Sequence, residues 1–315
     1  MHVVIVGAGA MGRFLGGMLG RGGHEVTFVE RDPGLVDVLN ERGIQFIELG
    51  TSGTEPYLTV KTRATTDGRS IQTCDLSILA VKNYSTASAV RSINQLVTAE
   101  APILTIQTGL GNIETMAEIV DIGNVLGGVT YHGATSLHGS SVRHAGTGMT
   151  FIGEINFAGK ERAEGIKAVF DASDIQTRVT DNVLGYVWAK AVVYSAVNPL
   201  TALLRLKNGQ LTEKMESIAL AKRLIDEGKQ VAQAYGIEMS PEDLYDSLLE
   251  VCRRTSENLS PMLQDILNGR RTEIESLNGA IHVMGKKRGL SVSTHQTMTE
   301  LIHLTEKWRK GSDWQ

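Results

Sequence analysis

Ten residues near the N-terminus restrict this chain more than anything else in it. Val3 to Gly12 read Val-Val-Ile-Val-Gly-Ala-Gly-Ala-Met-Gly, a β-branched apolar run leading into three glycines. Arg13 to Arg21 then reads as a helix. A glycine triplet between a strand and a helix is the context in which it signals dinucleotide binding. Gly7 permits the tight turn, Gly9 lets backbone approach a pyrophosphate, and Gly12 lets helix and strand pack closely. Ala10 and Met11 lie within the same turn and count with the glycines as cofactor-binding candidates, and the free N–H groups and positive end of the helix would receive the phosphates.

Composition narrows the remaining classes. The 315 residues are 42% hydrophobic and 21% charged, an ordinary globular balance with enough chain for two cores. The net charge of −4 leaves no basic footprint for nucleic acid. No apolar stretch is read as approaching a membrane span of about 20 residues, so no membrane partner is expected. The N-terminus starts directly with a strand and reads as a mature cytosolic, cytoplasmic start. Cys74 and Cys252 lie far apart, which suggests neither a disulfide framework nor a metal site. Cys74 precedes the apolar run Leu76 to Val81 and is expected to be a buried, inert thiol.

The texture changes near residue 180. Before it, strands are expected at Glu25 to Val29, Asp75 to Val81, Pro102 to Gln107, Val125 to Tyr131, Met149 to Ile155 and Gln176 to Val179. Helices such as Thr86 to Val97 and Asn112 to Ile119 lie between some of them, and Pro33 fits a helix start. Such alternation argues for a parallel sheet with helices on its faces. The glycine-rich stretch Gly133 to Gly153 reads as hairpins or sheet-edge loops. After residue 180, helices are expected at Asn182 to Leu206, Glu213 to Tyr235, Pro241 to Thr255, Met262 to Leu267, Arg271 to Arg288 and Val292 to Trp308. Lys310 to Gln315 reads as a frayed end. The expected architecture is α/β: a Rossmann-type dinucleotide-binding domain over residues 1–179, then an all-helical domain over 180–315 for substrate binding and dimerisation.

Chemistry in the second half concentrates on one helix. Lys190, Tyr194 and Asn198 recur at i, i+4 and i+8, which places them on one face, among Ala191, Val192, Val193, Ala196 and Val197. An ordinary surface lysine is an unlikely tenant of such a helix, although a long stem can also reach solvent. Pro199 suggests a kink or break directly after Asn198. Ser260-Pro261 reads as a helix start, with serine capping and proline first. Glu273 and Leu277 are expected on one face of a helix beginning at Arg270-Arg271, where a solvated face with local pairs is the bland reading. The histidines His132, His138 and His144 lack Cys or carboxylate neighbours at ligand spacing, so no metal is expected. Ser136 and Ser141 lack a nucleophile-elbow context.

These motifs together resemble the ketopantoate reductase (2-dehydropantoate 2-reductase) family of the 6-phosphogluconate-dehydrogenase-like superfamily. The resemblance is carried by Gly7-Ala-Gly9-Ala-Met-Gly12, Val81-Lys82, Gln107-Thr-Gly109-Leu-Gly111-Asn112, and Lys190 with Asn198-Pro-Leu-Thr-Ala202. It continues through Asn208-Gly209, Glu257-Asn258, Met262-Leu-Gln-Asp265, Arg271-Thr-Glu-Ile274 and Asn278-Gly279. It implies hydride transfer from NADPH to the keto carbon of ketopantoate, a step toward coenzyme A. It implies Lys190 as the general acid and Glu273 as the group that orients it. Asn198 and Asn258 would bind substrate, and Lys82, Thr108 and Gly109 would line the cofactor site. It also implies a homodimer formed through the helical half, with a monomer as the alternative.

The sequence departs from the family around this pocket. Tyr194 stands where a second asparagine is usual, Pro261 stands where a substrate-binding serine is usual with Ser260 adjacent, and Thr108 replaces an asparagine. Tyr194 and Ser260 are therefore candidates for an altered substrate site. Reduction of another branched or aromatic 2-keto acid, as an NAD(H)-dependent D-2-hydroxyacid dehydrogenase, is the second reading. A non-catalytic nicotinamide-binding sensor is the third, since fold alone never proves activity. Glu30 lies about 20 residues past the turn, where a carboxylate binds the ribose hydroxyls of NADH and repels a 2′-phosphate. Arg31 follows at once and favours NADPH, so the cofactor reading stays divided.

Overall fold

The computed structural model describes residues 1–47, 58–156, 159–239 and 243–309. The expected helix start at Pro241 and the frayed end at 310–315 lie outside the described residues. The chain divides into two compact units. One holds Met1–Gln107 and Asn112–Val183; the other holds Thr108–Gly111 and Leu184–Gln315.

In the first unit the strands are β1 (His2–Val6), β2 (Glu25–Val29), β3 (Ile44–Ile47), β4 (Leu58–Val60), β5 (Arg63–Thr65), β6 (Leu76–Leu79), β7 (Ile103–Thr105), β8 (Val125–Thr130), β9 (Gly133–Ser136), β10 (Ser141–Gly146), β11 (Thr150–Glu154) and β12 (Thr177–Val179). Its helices are α1 (Ala10–Arg21), α2 (Pro33–Arg42), α3 (Thr86–Ile93), α4 (Asn112–Ala117) and α5 (Glu161–Ala172). The main sheet runs β12-β11-β8-β7-β6-β1-β2-β5. From β5 to β8 every neighbouring pair is parallel, and only β11 meets β8 antiparallel. This is the doubly wound order, with the first strand central and the chain reversing direction beside it. Near-continuous apolar runs such as Val3-Val4-Ile5-Val6 are what a strand buried on both faces requires, and these four are almost wholly buried. The glycine-rich stretch forms the antiparallel hairpin β9–β10, which joins a separate sheet in the order β4-β3-β10-β9. Asp32 caps α2 by accepting from Gly34 N, with Pro33 in the first turn. Cys74 is half-buried rather than buried, and its sulfur lies 3.6 Å from the Ser77 hydroxyl.

The second unit is helical: α6 (Val183–Leu204, its first residue grouped with the sheet unit), α7 (Met215–Ala234), α8 (Leu244–Arg254), α9 (Pro261–Leu267), α10 (Asn278–Lys287) and α11 (Ser293–Arg309). Its core gathers Val192, Ala196 and Leu200 of α6 with Leu224 and Val231 of α7, Leu248 and Cys252 of α8, Ile281 of α10 and Ile302 of α11.

Three expectations about this unit are corrected. First, α6 does not break at Pro199 but continues to Leu204 with the proline inside it. Second, α6 is long and apolar enough to cross a membrane, with a mean hydropathy of 1.3 over its best window. That window is 78% buried, as a core helix requires. Third, Arg271–Leu277 is not α-helical; only a single 3-10 turn, Ile274–Ser276, precedes α10. Its backbone is committed elsewhere. Thr272 N donates to Glu306 Oε1 at 2.7 Å, Leu110 N donates to Ser276 O at 2.7 Å, and Leu277 takes φ −107°, ψ −95°. Tertiary partners thus override a helical sequence pattern, and Glu273 and Leu277 do not share a helical face.

Candidate active site

In the sheet unit the candidate residues are built around backbone. Gly7 takes φ +100° at the end of β1, and its N–H donates to Val29 O at 2.9 Å, tying the turn to β2. A side chain at Gly12 would put its Cβ 2.0 Å from Gly7 O, so only glycine lets α1 sit this close to the strand. Gly9 differs: nothing lies within 4 Å of where its Cβ would be. It is exposed, and no side chain caps α1 there. The turn therefore leaves open space against the uncapped start of a 12-residue helix, the geometry that receives a phosphate group. Ala10 and Met11 are half-buried in the first turn of α1.

Glu30 stands at the end of β2 and folds toward the turn. Its Oε2 accepts from Ala8 N at 2.8 Å and its Oε1 from Asp32 N at 3.2 Å. Arg31 is exposed and makes no ion pair among the described residues. Lys82 follows β6 and is half-buried. A polar network fixes the backbone around it. Gln107 Nε2 donates to Val81 O at 2.8 Å and to Thr86 Oγ1 at 2.9 Å, while Asn112 Oδ1 accepts from Asn83 Nδ2 at 2.8 Å.

In the helical unit the candidate residues are buried side chains. Lys190 is 9% exposed in the middle of the apolar α6. Burial lowers its pKa to about 8, and the charge of Glu273 acts in the opposite direction. The Tyr194 ring lies one turn on, with the Lys190 Nζ 5.4 Å from its centroid. Burial raises the Tyr194 phenol, so it is neutral. Asn198 is buried, and its Oδ1 has no hydrogen-bond partner. Lys190, Tyr194 and Asn198 thus share one face, as their spacing requires, and Glu273 reaches it from the non-helical segment before α10. Thr108 and Gly109 belong to this unit too. Gly109 takes φ +106°, and a Cβ there would meet the Ser276 backbone oxygen at 2.9 Å. Asn258 is half-buried, its carbonyl accepting from Asn208 N at 3.0 Å. Ser260 stands apart. It has no exposed surface, and its Oγ caps α9 by accepting from Leu263 N at 3.2 Å while bonding Thr201 Oγ1 at 2.7 Å. That hydroxyl is committed to the fold, so Ser260 leaves the candidate substrate set.

Comparison with known proteins places this geometry. Residues 3–156 match the profile of ketopantoate reductase PanE/ApbA, and residues 182–306 match that of its C-terminal domain. The chain belongs to the ketopantoate reductase PanE/ApbA family. Within this family, 2-dehydropantoate 2-reductase of Pyrococcus abyssi is 36% identical over 96% of this chain and 97% of its own. That of Halobacterium salinarum is 34% identical over 98% and 99%. A ketopantoate reductase structure from Ralstonia eutropha JMP134 superposes with a TM-score of 0.87 at 29% identity, covering 98% and 100%. The ternary structure of D-mandelate dehydrogenase with NADH and anilino(oxo)acetate superposes at 0.92, with 24% identity over 98% and 100%. At that identity it shows the shared fold alone.

The sequence left two parts of this ketopantoate reductase fold unread. Arg13 is buried, with its guanidinium donating to Gly139 O at 2.7 Å and Ser136 Oγ at 2.5 Å, which pins α1 to the hairpin. His132 and His144 stack against Phe14 with centroids 5.0 and 4.8 Å away, and burial lowers the His144 pKa. Both are packing roles between segments more than a hundred residues apart, which no local pattern announces. Among the described residues, no cluster of His, Cys, Asp and Glu could hold a metal ion.

Proposed function

We propose that this protein reduces 2-dehydropantoate to pantoate with a nicotinamide dinucleotide, Lys190 being the general acid. The observation that carries the proposal is a lysine buried in an apolar helix at a proton affinity near neutrality, with a carboxylate acting on it. Lys190 at about 8 is mostly charged at pH 7 and releases its proton far more readily than an exposed lysine. The bound cofactor would supply the hydride. As the keto oxygen gains charge, the Lys190 ammonium donates a hydrogen bond to it and then transfers its proton there. In a site shielded from water such a charge is worth more than in solution. Glu273 keeps the ammonium charged between turnovers. The unpartnered Oδ1 of Asn198 is positioned to accept from a substrate hydroxyl. The names carried by the Pyrococcus and Halobacterium relatives support 2-dehydropantoate as the substrate.

The open turn at Gly9 and the uncapped α1 fit a pyrophosphate. Lys82, Thr108 and Gly109 would line the nicotinamide end. We assign NADPH on the strength of Arg31, which is exposed and available for a 2′-phosphate. A second reading rests on Glu30 and Tyr194. A carboxylate at the end of β2 suits NADH, the cofactor bound in the D-mandelate dehydrogenase structure, and the aromatic ring beside Lys190 suits a bulkier 2-keto acid. The test follows NADPH and NADH oxidation in parallel, against ketopantoate and phenylglyoxylate. Efficient turnover of ketopantoate is expected. Activity confined to phenylglyoxylate overturns the substrate assignment, and no turnover of either favours a sensor.

A further inference from the structure

Pro199 sits inside α6 between the residues of the site and the end of the helix. It has no N–H, so the carbonyl of Ser195, four residues earlier, loses its helical partner. Ser195 is fully buried, which leaves water unable to supply one. Asn278, the first residue of α10, supplies it: its Nδ2 donates to Ser195 O at 2.9 Å. The same Nδ2 lies 3.1 Å from His295 Nδ1, and His295 Nε2 lies 2.9 Å from Leu224 O. A carbonyl only accepts, so His295 carries its hydrogen on Nε2 and accepts at Nδ1. Both contacts of the Asn278 amide are then acceptors, which fixes its NH2 toward them. Burial holds the His295 pKa down at about 4, with Glu227 raising it and His282 lowering it further. The ring is neutral at pH 7, and donation diverges from the Asn278 amide, one hydrogen going to Ser195 O and the other to His295, whose own N–H goes on to Leu224 O. The bonds thus link α10 to the interior of α6 on one side and, through α11, to α7 on the other.

We propose that Asn278 is a positioning residue for proton donation, closing the gap that Pro199 opens and holding the Lys190–Asn198 face of α6 against the segment carrying Glu273. Two features make the geometry consequential. Ser195 lies between Lys190 and Asn198, so any change of tilt at 195–199 re-aims one against the other. Asn278 follows Glu273 by five residues across a segment with only a single 3-10 turn, so its side chain ties that segment to α6. Glu273 is the charge acting on Lys190 and the Tyr194 ring is its neighbour on the same helix. The inference rests on Lys190 as the acid of the proposed reaction.

The test pairs Asn278→Ala with the double variant Asn278→Ala/Pro199→Ala, in which residue 199 regains an N–H and can bond Ser195 O itself. Two readouts are needed: NMR titration of the Lys190 ammonium, and kcat with the KM for cofactor. In Asn278→Ala the Lys190 titration should fall by about half a pH unit or more, as support from Glu273 is lost. Its kcat should drop about tenfold or more with an unchanged KM for cofactor. The double variant should recover both. A purely structural role would lower the melting temperature and leave the titration in place. An unmoved titration in the single variant, or a double variant no better than the single, overturns the proposal. If the single variant does not fold, the double variant decides: folded with the parental titration it supports the proposal, and otherwise it overturns it. The titration needs no substrate, so failure to reduce ketopantoate condemns the proposed reaction without touching this result.

Discussion

The glycine turn and the Lys190 cluster are made of different material. The turn works by what is missing: no side chain at Gly9, no cap on α1, no room for a Cβ at Gly12. The Lys190 cluster works by what is forced into a place that does not welcome it, an ammonium and an amide inside an apolar helix. The first can be built cheaply and leaves the fold unstrained. The second costs stability, because burying a charge is unfavourable unless something compensates. A binding surface can be relaxed; a proton donor of suitable affinity cannot, since the burial that destabilises it also tunes it.

That contrast breaks most readily at Lys190. Lys190→Met should reduce kcat by about a hundredfold to ten-thousandfold and leave the dinucleotide Kd unchanged. It should also raise the melting temperature at pH 7. The folded pKa lies below the ordinary lysine value, so the penalty is present in full below about pH 8 and is relieved as pH rises toward 10.5. It amounts to about 3 kcal/mol. A variant with normal turnover would remove Lys190 as the donor, and a lower melting temperature would show that its stem matters more than its charge.

The next largest effect belongs to the scaffold beneath the cluster. His295 has a folded pKa of about 4 against 6.5 unfolded. Its contribution is complete above pH 6.5 and is lost as pH falls from there to 4, about 3 kcal/mol in all. The sheet unit contains no tryptophan, and Trp188 and Trp308 lie in the helical unit. Denaturation followed by tryptophan fluorescence should therefore shift to lower denaturant between pH 7 and 4.5. The same acid dependence in His295→Gln would assign the effect to other groups.

Smaller effects sharpen the other side of the comparison. Gly9→Ala should leave the melting temperature unchanged, because its Cβ meets nothing, while weakening dinucleotide binding about tenfold. Gly12→Ala should lower the melting temperature. Equal behaviour of the two variants would mean that the turn is a packing device only. Glu30→Gln should shift selectivity toward NADPH by about fivefold, read as the ratio of kcat/KM values. An unchanged ratio would exclude Glu30 from reading the ribose.

The contrast also explains what was legible in the sequence. A site made of glycines at fixed offsets between a strand and a helix is a local pattern: β2 keeps its expected bounds, and α1 ends at Arg21 as expected but begins at Ala10, three residues before the expected Arg13. The short strands β3, β4 and β5 escaped notice because Ile44–Ile47 and Arg63–Thr65 are too brief for a period to register. Residues 271–277 misled because their helical composition is overruled by Glu306 and Leu110, which take their backbone groups. The face shared by Lys190, Tyr194 and Asn198 could be read from spacing, but the part of Glu273 rested on family resemblance. Asn278 and Ser195, 83 positions apart, carry no signal that a single sequence can display.

The length and apolarity of α6 have a consequence during biogenesis. A nascent segment of 22 residues with a hydropathy of 1.3 resembles a transmembrane span to any machinery that meets it before the neighbouring helices exist. Lys190 is the eighth residue of that segment, and a lysine near the centre of a span raises the cost of insertion by about 2.5–3.5 kcal/mol. The same ammonium that is assigned to proton transfer in the finished protein would thus bias the unfinished chain away from the lipid bilayer, and replacing it with an apolar residue would remove the proton donor and the bias at once.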